Sequence, residues 1–249
     1  NKKLEKRKII RIGWDKSADI RVGNDHLSQD ENGRPSGLVC KVDYDGHTIP
    51  LRLANLYGAH QLYAVLAALA AGIAAGCPIL TVTQALESYR PPPGRGRLIE
   101  GIKGAWILDD SYNASPAAMA AALETLKNFP GGGRKIAVLG DMLELGVYTI
   151  DAHREVGRVA AFCDQLITVG VRAKFIADGA IEAGFEKKKI HHFNDAREAG
   201  IALQILLAPN DVILVKGSQA IRLERTVEEI MAHPENKEKL LARQEPEWK

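Results

Sequence analysis

The stretch AWILDDSYNASPAAMAAALETLKNF, residues 105–129, decides the fold. An apolar run enters two aspartates, a tyrosine and an asparagine, and the apolar spacing then changes from that of a strand to that of a helix. Ser115 stands where a side chain can cap the helix. Pro116 stands at its first position, where a missing N–H costs nothing. The helix therefore has a defined start. Its free N–H groups and positive dipole end face whatever Asp110 and Asn113 hold, which suits a phosphate or carboxylate. A well-capped helix without a ligand fits the same residues equally well.

Downstream the pattern becomes regular. Short apolar runs at 105–108, 135–139, 165–169, 189–192 and 211–215 alternate with helical stretches at 116–128, 151–162, 172–183, 195–207 and 219–232. Strand and helix in strict alternation predict an α/β fold with a parallel, doubly wound sheet. Ligands of such sheets bind beyond the carboxyl ends of the strands, which directs attention to residues 109–110, 140–144, 170–172 and 216–218. His191 and His192 are neighbours in a strand, point to opposite faces and cannot chelate one metal, so they read as structural.

Upstream, alternating runs at 8–12, 38–44 and 47–53 read as antiparallel strands and hairpins, followed by helices at 59–76 and 80–89. Pro91-Pro92-Pro93-Gly94 is hinge-like. It separates a first domain, 1–93, from a second, 94–249.

At 249 residues, 46% of them hydrophobic and 26% charged, the chain can bury a sizeable core. Thirty-three Lys and Arg nearly balance 31 Asp and Glu, so no basic field argues for nucleic acid or an anionic membrane. The longest apolar run, 64–75, is too short to span a bilayer, and no signal-peptide pattern opens the chain, so a cytoplasmic protein is expected. Cys40, Cys77 and Cys163 are scattered and read as reduced, buried thiols, with no metal site indicated. The chain opens with NKKLEKRK, a charged leader, and its first residue is Asn rather than Met, so a fragment is expected. No G-x-x-x-x-G-K-[ST] loop occurs, and Gly131-Gly132-Gly133 precedes a strand instead of following one, which makes it a plain loop.

Several blocks taken together carry a resemblance: LYGAHQLYAVLAALAAG (56–72), GRGR (94–97), DDSYNASP (109–116), KIAVLGDMLELG (135–146), HREVG (153–157) and LVKGSQAIRLE (214–224). In this order they resemble the Mur ligases, and within that family the branch that adds a dipeptide. The resemblance implies the end of an α/β ATPase central domain followed by a Rossmann-like C-terminal domain. It implies ATP and Mg2+ as cofactors, with the metal ligands mostly outside this sequence. The implied substrates are UDP-N-acetylmuramoyl-tripeptide and D-alanyl-D-alanine, joined by an amide bond in cell-wall synthesis, and a monomer is expected. The fragment alone is expected to be inactive. Alternatives are another Mur-type ligase, similar to folylpolyglutamate or cyanophycin synthetases, or a non-catalytic binding module.

Carried over by residue, the resemblance implies Asp110 at the ATP ribose and Arg97 approaching the nucleotide from the hinge. A carboxylate and a guanidinium suit those tasks. His60 and Gln61 fall in the block beside the adenine, although Gln61 and Ala64 replace asparagines common there. Asn113 joins the cofactor set and Tyr112 the cleft wall, as packing ring or substrate contact. Lys216 and Ser218 fall in the K-G-S block, with Lys216 the catalytic cation for phosphate or carboxylate. Gln219 replaces an arginine often found next, which removes one possible carboxylate clamp. Asp141, Glu144 and His153 could line the dipeptide pocket; the competing account has Asp141 capping and Glu144 solvated.

Overall fold

The structure is a computed structural model and describes residues 9–248. It divides into two compact units, Asn1–Arg90 and Pro91–Lys249. The leader and Lys8 lie outside the described residues.

The first unit is a four-stranded sheet in the order β1-β2-β3-β4, formed by β1 (Ile12–Gly13), β2 (Ile20–Gln29), β3 (Pro35–Tyr44) and β4 (His47–Leu53). Alternation along the strands turns Ile20, Val22, Leu38, Cys40, Val42, Leu51 and Leu53 inward. The helix α1 (Leu62–Ala74) covers that face with Leu62, Val65, Leu66 and Leu69, at the i, i+3, i+4, i+7 spacing of one helical stripe. A second helix, α2 (Ile79–Glu87), follows. β2 has no counterpart in the expected strands. After Val22 its apolar alternation lapses, and a register shift between Gly23 and His26 interrupts its ladder, with Asn24 left-handed at φ 54°. β1 is two residues long and runs parallel to β2, which corrects the expected antiparallel pairing there. Asp19 fixes this return by accepting from the Arg11 backbone N–H at 2.8 Å. Cys77 is exposed, against expectation, because it sits in the turn after α1, off the apolar stripe; Cys40 and Cys163 are buried free thiols.

The second unit holds a six-stranded sheet in the order β5-β6-β10-β7-β8-β9. Its strands are β5 (Arg97–Glu100), β6 (Trp106–Asp110), β7 (Lys135–Gly140), β8 (Gln165–Val169), β9 (Ile190–Phe193) and β10 (Val212–Lys216). All pairings are parallel except β5 with β6, which is antiparallel. This short edge strand follows the segment expected as hinge and has no counterpart among the expected strands.

Helices α3 (Pro116–Lys127), α4 (Thr149–Val159), α5 (Lys174–Glu182), α6 (Ala196–Leu206), α7 (Glu224–Ile230) and α8 (Lys237–Leu240) complete the unit. One face of the sheet, with Ile107, Val138, Ile167, Ile213 and Val215, packs on α6 and α7 through Ala199, Leu203, Val227 and Ile230. α3, α4 and α5 pack in succession on the other face. The single helix expected over 219–232 is broken: a 3-10 turn at Gln219–Ile221 ends on Arg222, left-handed at φ 59°, and α7 begins only at Glu224.

α4 and α5 cross at backbone distance because each presents a glycine. A Cβ on Gly157 would strike the Ile176 carbonyl oxygen, and one on Gly179 the Arg154 carbonyl oxygen. Neither target can swing aside as a side chain could. Gly157→Ala is therefore expected to destabilise the second unit by about 2–3 kcal/mol, the upper range for forced overpacking, measured by urea unfolding.

Candidate functional site

β10 lies between β6 and β7, so the loops leaving these three carboxyl ends converge where the winding reverses, the place at which open α/β sheets bind ligands. They form a cleft of about 730 Å³. The loop after β6 contributes Asn113, Ala114 and Ser115. The loop after β7 contributes Leu143, Glu144 and Leu145, and the loop after β10 contributes Ser218, Gln219, Ala220 and Arg222. Trp248 closes one side. Ser115 caps α3 as expected, accepting from the Ala118 N–H at 3.3 Å, with Pro116 in the first turn.

The loops are anchored by buried polar groups. Lys216 and Asp110 are register partners at the ends of β10 and β6. Lys216 Nζ donates to Asp110 Oδ2 at 2.6 Å and to the Asn113 carbonyl at 2.9 Å, with its side chain only 4% exposed. Asp141 is buried, and its Oδ1 accepts from the N–H groups of Arg172 (2.9 Å) and Ala173 (2.6 Å), just ahead of α5. This is the capping role. His153 is fully buried and held neutral by its bonds: Nδ1–H donates to the Thr149 carbonyl, and Nε2 accepts from the Met142 N–H at 3.0 Å. Burial lowers its pKa. Ser218 Oγ accepts from the Leu143 N–H at 2.9 Å, and the Ser218 N–H donates to the Asp141 carbonyl at 2.9 Å, joining the loops after β7 and β10.

A second buried cluster lies beside these anchors. Glu224, 2% exposed, receives Arg222 Nε and, at 2.9 Å, the Arg243 guanidinium. Arg243 also donates to the Gln219 carbonyl and, at 3.2 Å, to the Ser111 carbonyl, so it ties the loops after β10 and β6. Arg222 donates to the Trp248 carbonyl at 2.9 Å, and its guanidinium lies 5.6 Å from that ring's centroid. Asp109 is completely buried, and its Oδ1 accepts from the Ser111 N–H at 3.2 Å while Oδ2 has no partner. Burial above all, opposed by the Ser111 hydrogen bonds and helped by Asp110 and Glu224, pushes the Asp109 carboxyl up to about 6.

The expected site residues thus separate. Asn113, Glu144 and Ser218 meet in the cleft, and Asp110 and Lys216 meet as a buried pair outside its lining. Tyr112 does not line the cleft; its ring packs against the guanidiniums of Arg95 (4.5 Å) and Arg243 (5.4 Å). Arg97 begins β5 and donates to the carbonyls of Pro91 and Lys239. His60 and Gln61 belong to the first unit, where Gln61 Oε1 accepts from the Tyr57 and Gly58 N–H groups at 3.0 Å each. Sequence reasoning missed Arg222, Glu224, Arg243 and Trp248. The first two stand inside the block at 214–224, while the others lie in a tail with no periodic signal. Among the described residues, no group of three or more His, Cys, Asp or Glu could hold a metal ion, and no helix is long and apolar enough to cross a membrane.

A family model, Mur ligase, glutamate ligase domain, matches residues 94–219, half of the chain. The chain belongs to the Mur ligase family. Among curated relatives, the UDP-N-acetylmuramoyl-tripeptide–D-alanyl-D-alanine ligase of Bacillus subtilis is 34% identical over 213 residues, covering 85% of this chain and 46% of that protein. The crystal structure of the MurF ligase of Thermotoga maritima, in complex with ADP, matches with a TM-score of 0.74 at 26% identity, over 92% of this chain and 51% of that one. A MurF structure from Acinetobacter baumannii matches with a TM-score of 0.75 at 25% identity, over 91% and 48%. This Mur ligase chain spans about half the length of the relatives it matches.

Two stability measurements test these anchors. Lys216→Met, which strands Asp110, is expected to cost about 3–5 kcal/mol, and the double variant with Asp110→Asn to recover most of that. For Asp109 the folded pKa lies above the unfolded one, so the native state holds its proton longer and its ionisation opposes folding as pH rises from about 4 to 6. Asp109→Asn is expected to gain about 1–3 kcal/mol over the parent above pH 6 and to lose that advantage towards pH 4, followed by denaturant titration at each pH.

Proposed function

We propose that this chain supplies the amine-receiving part of an ATP-dependent amide ligase that joins D-alanyl-D-alanine to UDP-N-acetylmuramoyl-tripeptide, a cytoplasmic step of peptidoglycan synthesis. Residues 94–249 are then the C-terminal, Rossmann-like domain, and 1–93 the end of the central ATPase domain. The carrying observation is the cleft at the reversal of the sheet, in a chain that is 34% identical to a UDP-N-acetylmuramoyl-tripeptide–D-alanyl-D-alanine ligase.

The cleft suits a small dipeptide. Ala114, Leu143, Leu145 and Ala220 offer apolar walls to two methyl groups, while Asn113, Ser218 and Glu144 offer polar contacts. Its loops are fixed before a ligand arrives by Lys216, Asp141, His153 and Arg243, which lowers the ordering cost of binding. In the proposed reaction the neutral amine nitrogen of the dipeptide attacks the carbonyl carbon of an acceptor acyl phosphate; the C–N bond forms, the C–O bond to phosphate breaks, inorganic phosphate leaves with its electron pair, and the nitrogen gives up a proton to solvent. Holding that nitrogen in line is the contribution of this unit.

The residues present do not by themselves make a nucleotide site. The sequence has no phosphate loop, and one oxygen of the expected ribose acceptor, Asp110 Oδ2, is bonded by Lys216. Activation of the acceptor therefore belongs to the longer ligase and not to the described cleft.

Isothermal titration tests the assignment. D-alanyl-D-alanine is expected to bind this chain, L-alanyl-L-alanine to bind at least about tenfold more weakly, and a non-hydrolysable ATP analogue with magnesium to give no tight binding. Equal affinity for the two dipeptides, or none for the D-form, would overturn the reading.

A further inference from the structure

Among the described residues, the cleft lining carries one cation and one anion. Arg222 comes from the loop after β10 and Glu144 from the loop after β7. We propose that these two side chains recognise a zwitterion end to end: Arg222 takes the C-terminal carboxylate of the dipeptide, and Glu144 takes its ammonium group. This rests on the dipeptide-ligase reading and adds to it the residues that set the direction in which the dipeptide lies.

The backbone supplies an independent observation. Glu144 and Arg222 are both left-handed, at φ 63° and 59°, a conformation that is costly for a residue other than glycine. Two other long side chains share it, Lys103 and Arg243, and each is anchored to the protein: Lys103 Nζ donates to the Gln204 and Leu207 carbonyls, and Arg243 to those of Gln219 and Ser111. Glu144 is exposed in the cleft and has no hydrogen-bond or ionic partner among the described residues. A glycine would relieve the strain. The carboxylate is the part of this residue that a ligand can use.

Arg222 is anchored on one side only. Its Nε bonds Glu224 and one Nη bonds the Trp248 carbonyl, while Nη1 has no partner among the described residues. Glu224 is itself clamped by Arg243, so the guanidinium is held in place and partly shielded, the arrangement in which a charged hydrogen bond to a carboxylate counts most. Gln219, next to Ser218, cannot supply a cation, so this task falls to the arginine three residues later. The same geometry predicts discrimination against peptides blocked at either end.

The test compares three ligands by isothermal titration: D-alanyl-D-alanine, its C-terminal amide and its N-acetyl form. On the parent chain, amidation is expected to weaken binding at least about tenfold, since it leaves the partly buried Arg222 without its carboxylate, and acetylation to weaken it by a smaller factor, about two- to fivefold, since it removes the ammonium from the exposed Glu144. In Arg222→Gln the penalty for amidation should disappear while that for acetylation remains; in Glu144→Gln the reverse should hold. Arg222→Lys, which keeps the charge, should retain part of the amidation penalty. Thermal unfolding confirms that each variant is folded, and a variant that fails to fold is replaced by the lysine variant at 222 or by Glu144→Asp. Free dipeptide that binds the parent without an amidation penalty, or a penalty unchanged in Arg222→Gln, overturns this inference and leaves the dipeptide reading standing. No binding of the free dipeptide at all overturns the reading itself, and the inference with it.

Discussion

The second unit depends on the insertion of β10, the last strand in the sequence, between β6 and β7, and on the buried Lys216–Asp110 pair that marks its correct seating. A lysine taken from water without a counter-ion costs several kcal/mol. A slip of one residue would turn Lys216 to the opposite face, away from Asp110 and against the apolar residues that pack on α6 and α7. The pair therefore contributes register more than net stability. It also reaches past the strand end, because the same ammonium holds the Asn113 carbonyl and so shapes the turn that leads into α3.

From that point each loop of the cleft is fixed by a side chain from a different element. Asp141 spans from the end of β7 to the segment after β8, His153 reaches from α4 back to Met142, and Ser218 joins the end of β10 to Leu143. Arg243 closes the set from the tail. Backbone groups in loops this close to the core need partners, and here Asp141, His153, Ser218 and Arg243 supply several of them, which stiffens the cleft. Gly170 belongs to the same logic: a Cβ there would enter the space of the Asp141 carboxylate, so only a bare α-carbon lets the cap close.

How much of this was legible in the sequence varies with the physical signal. The four central strands of the second unit were readable because strands buried on both faces show as continuous apolar runs, and α3 because Ser115 and Pro116 announce its start. β5 and β2 were not, since an edge strand and a bulged strand carry weak alternation and lie among turn residues. The break at Arg222 was invisible because no glycine or proline marks it; the left-handed turn is held by the Glu224 contact, which only the fold reveals. For the candidate site, residues on strand ends could be named from the topology, so Asn113, Glu144 and Ser218 were found. Trp248 lines the cleft and Arg243 ties the loops that frame it, both from a segment with no periodicity, and no local pattern could have linked Arg243 to Ser111, 132 residues away in sequence.

The structure also divides labour in a way that residue type alone does not suggest. Lys216, Asp141 and His153 are the ionisable groups a chemist would choose for catalysis, yet each is buried and bonded to the protein's own loops. The groups left facing the cleft are an exposed carboxylate, an amide and an arginine anchored on one side. A ligase that receives its acceptor already activated needs no strong acid or base on the amine side. It needs a rigid frame and a few well-placed charges, since positioning alone can supply several kcal/mol of the barrier. On the proposed reading the first set builds that frame and the second meets the ligand, so damage to the first should register in stability and damage to the second in affinity.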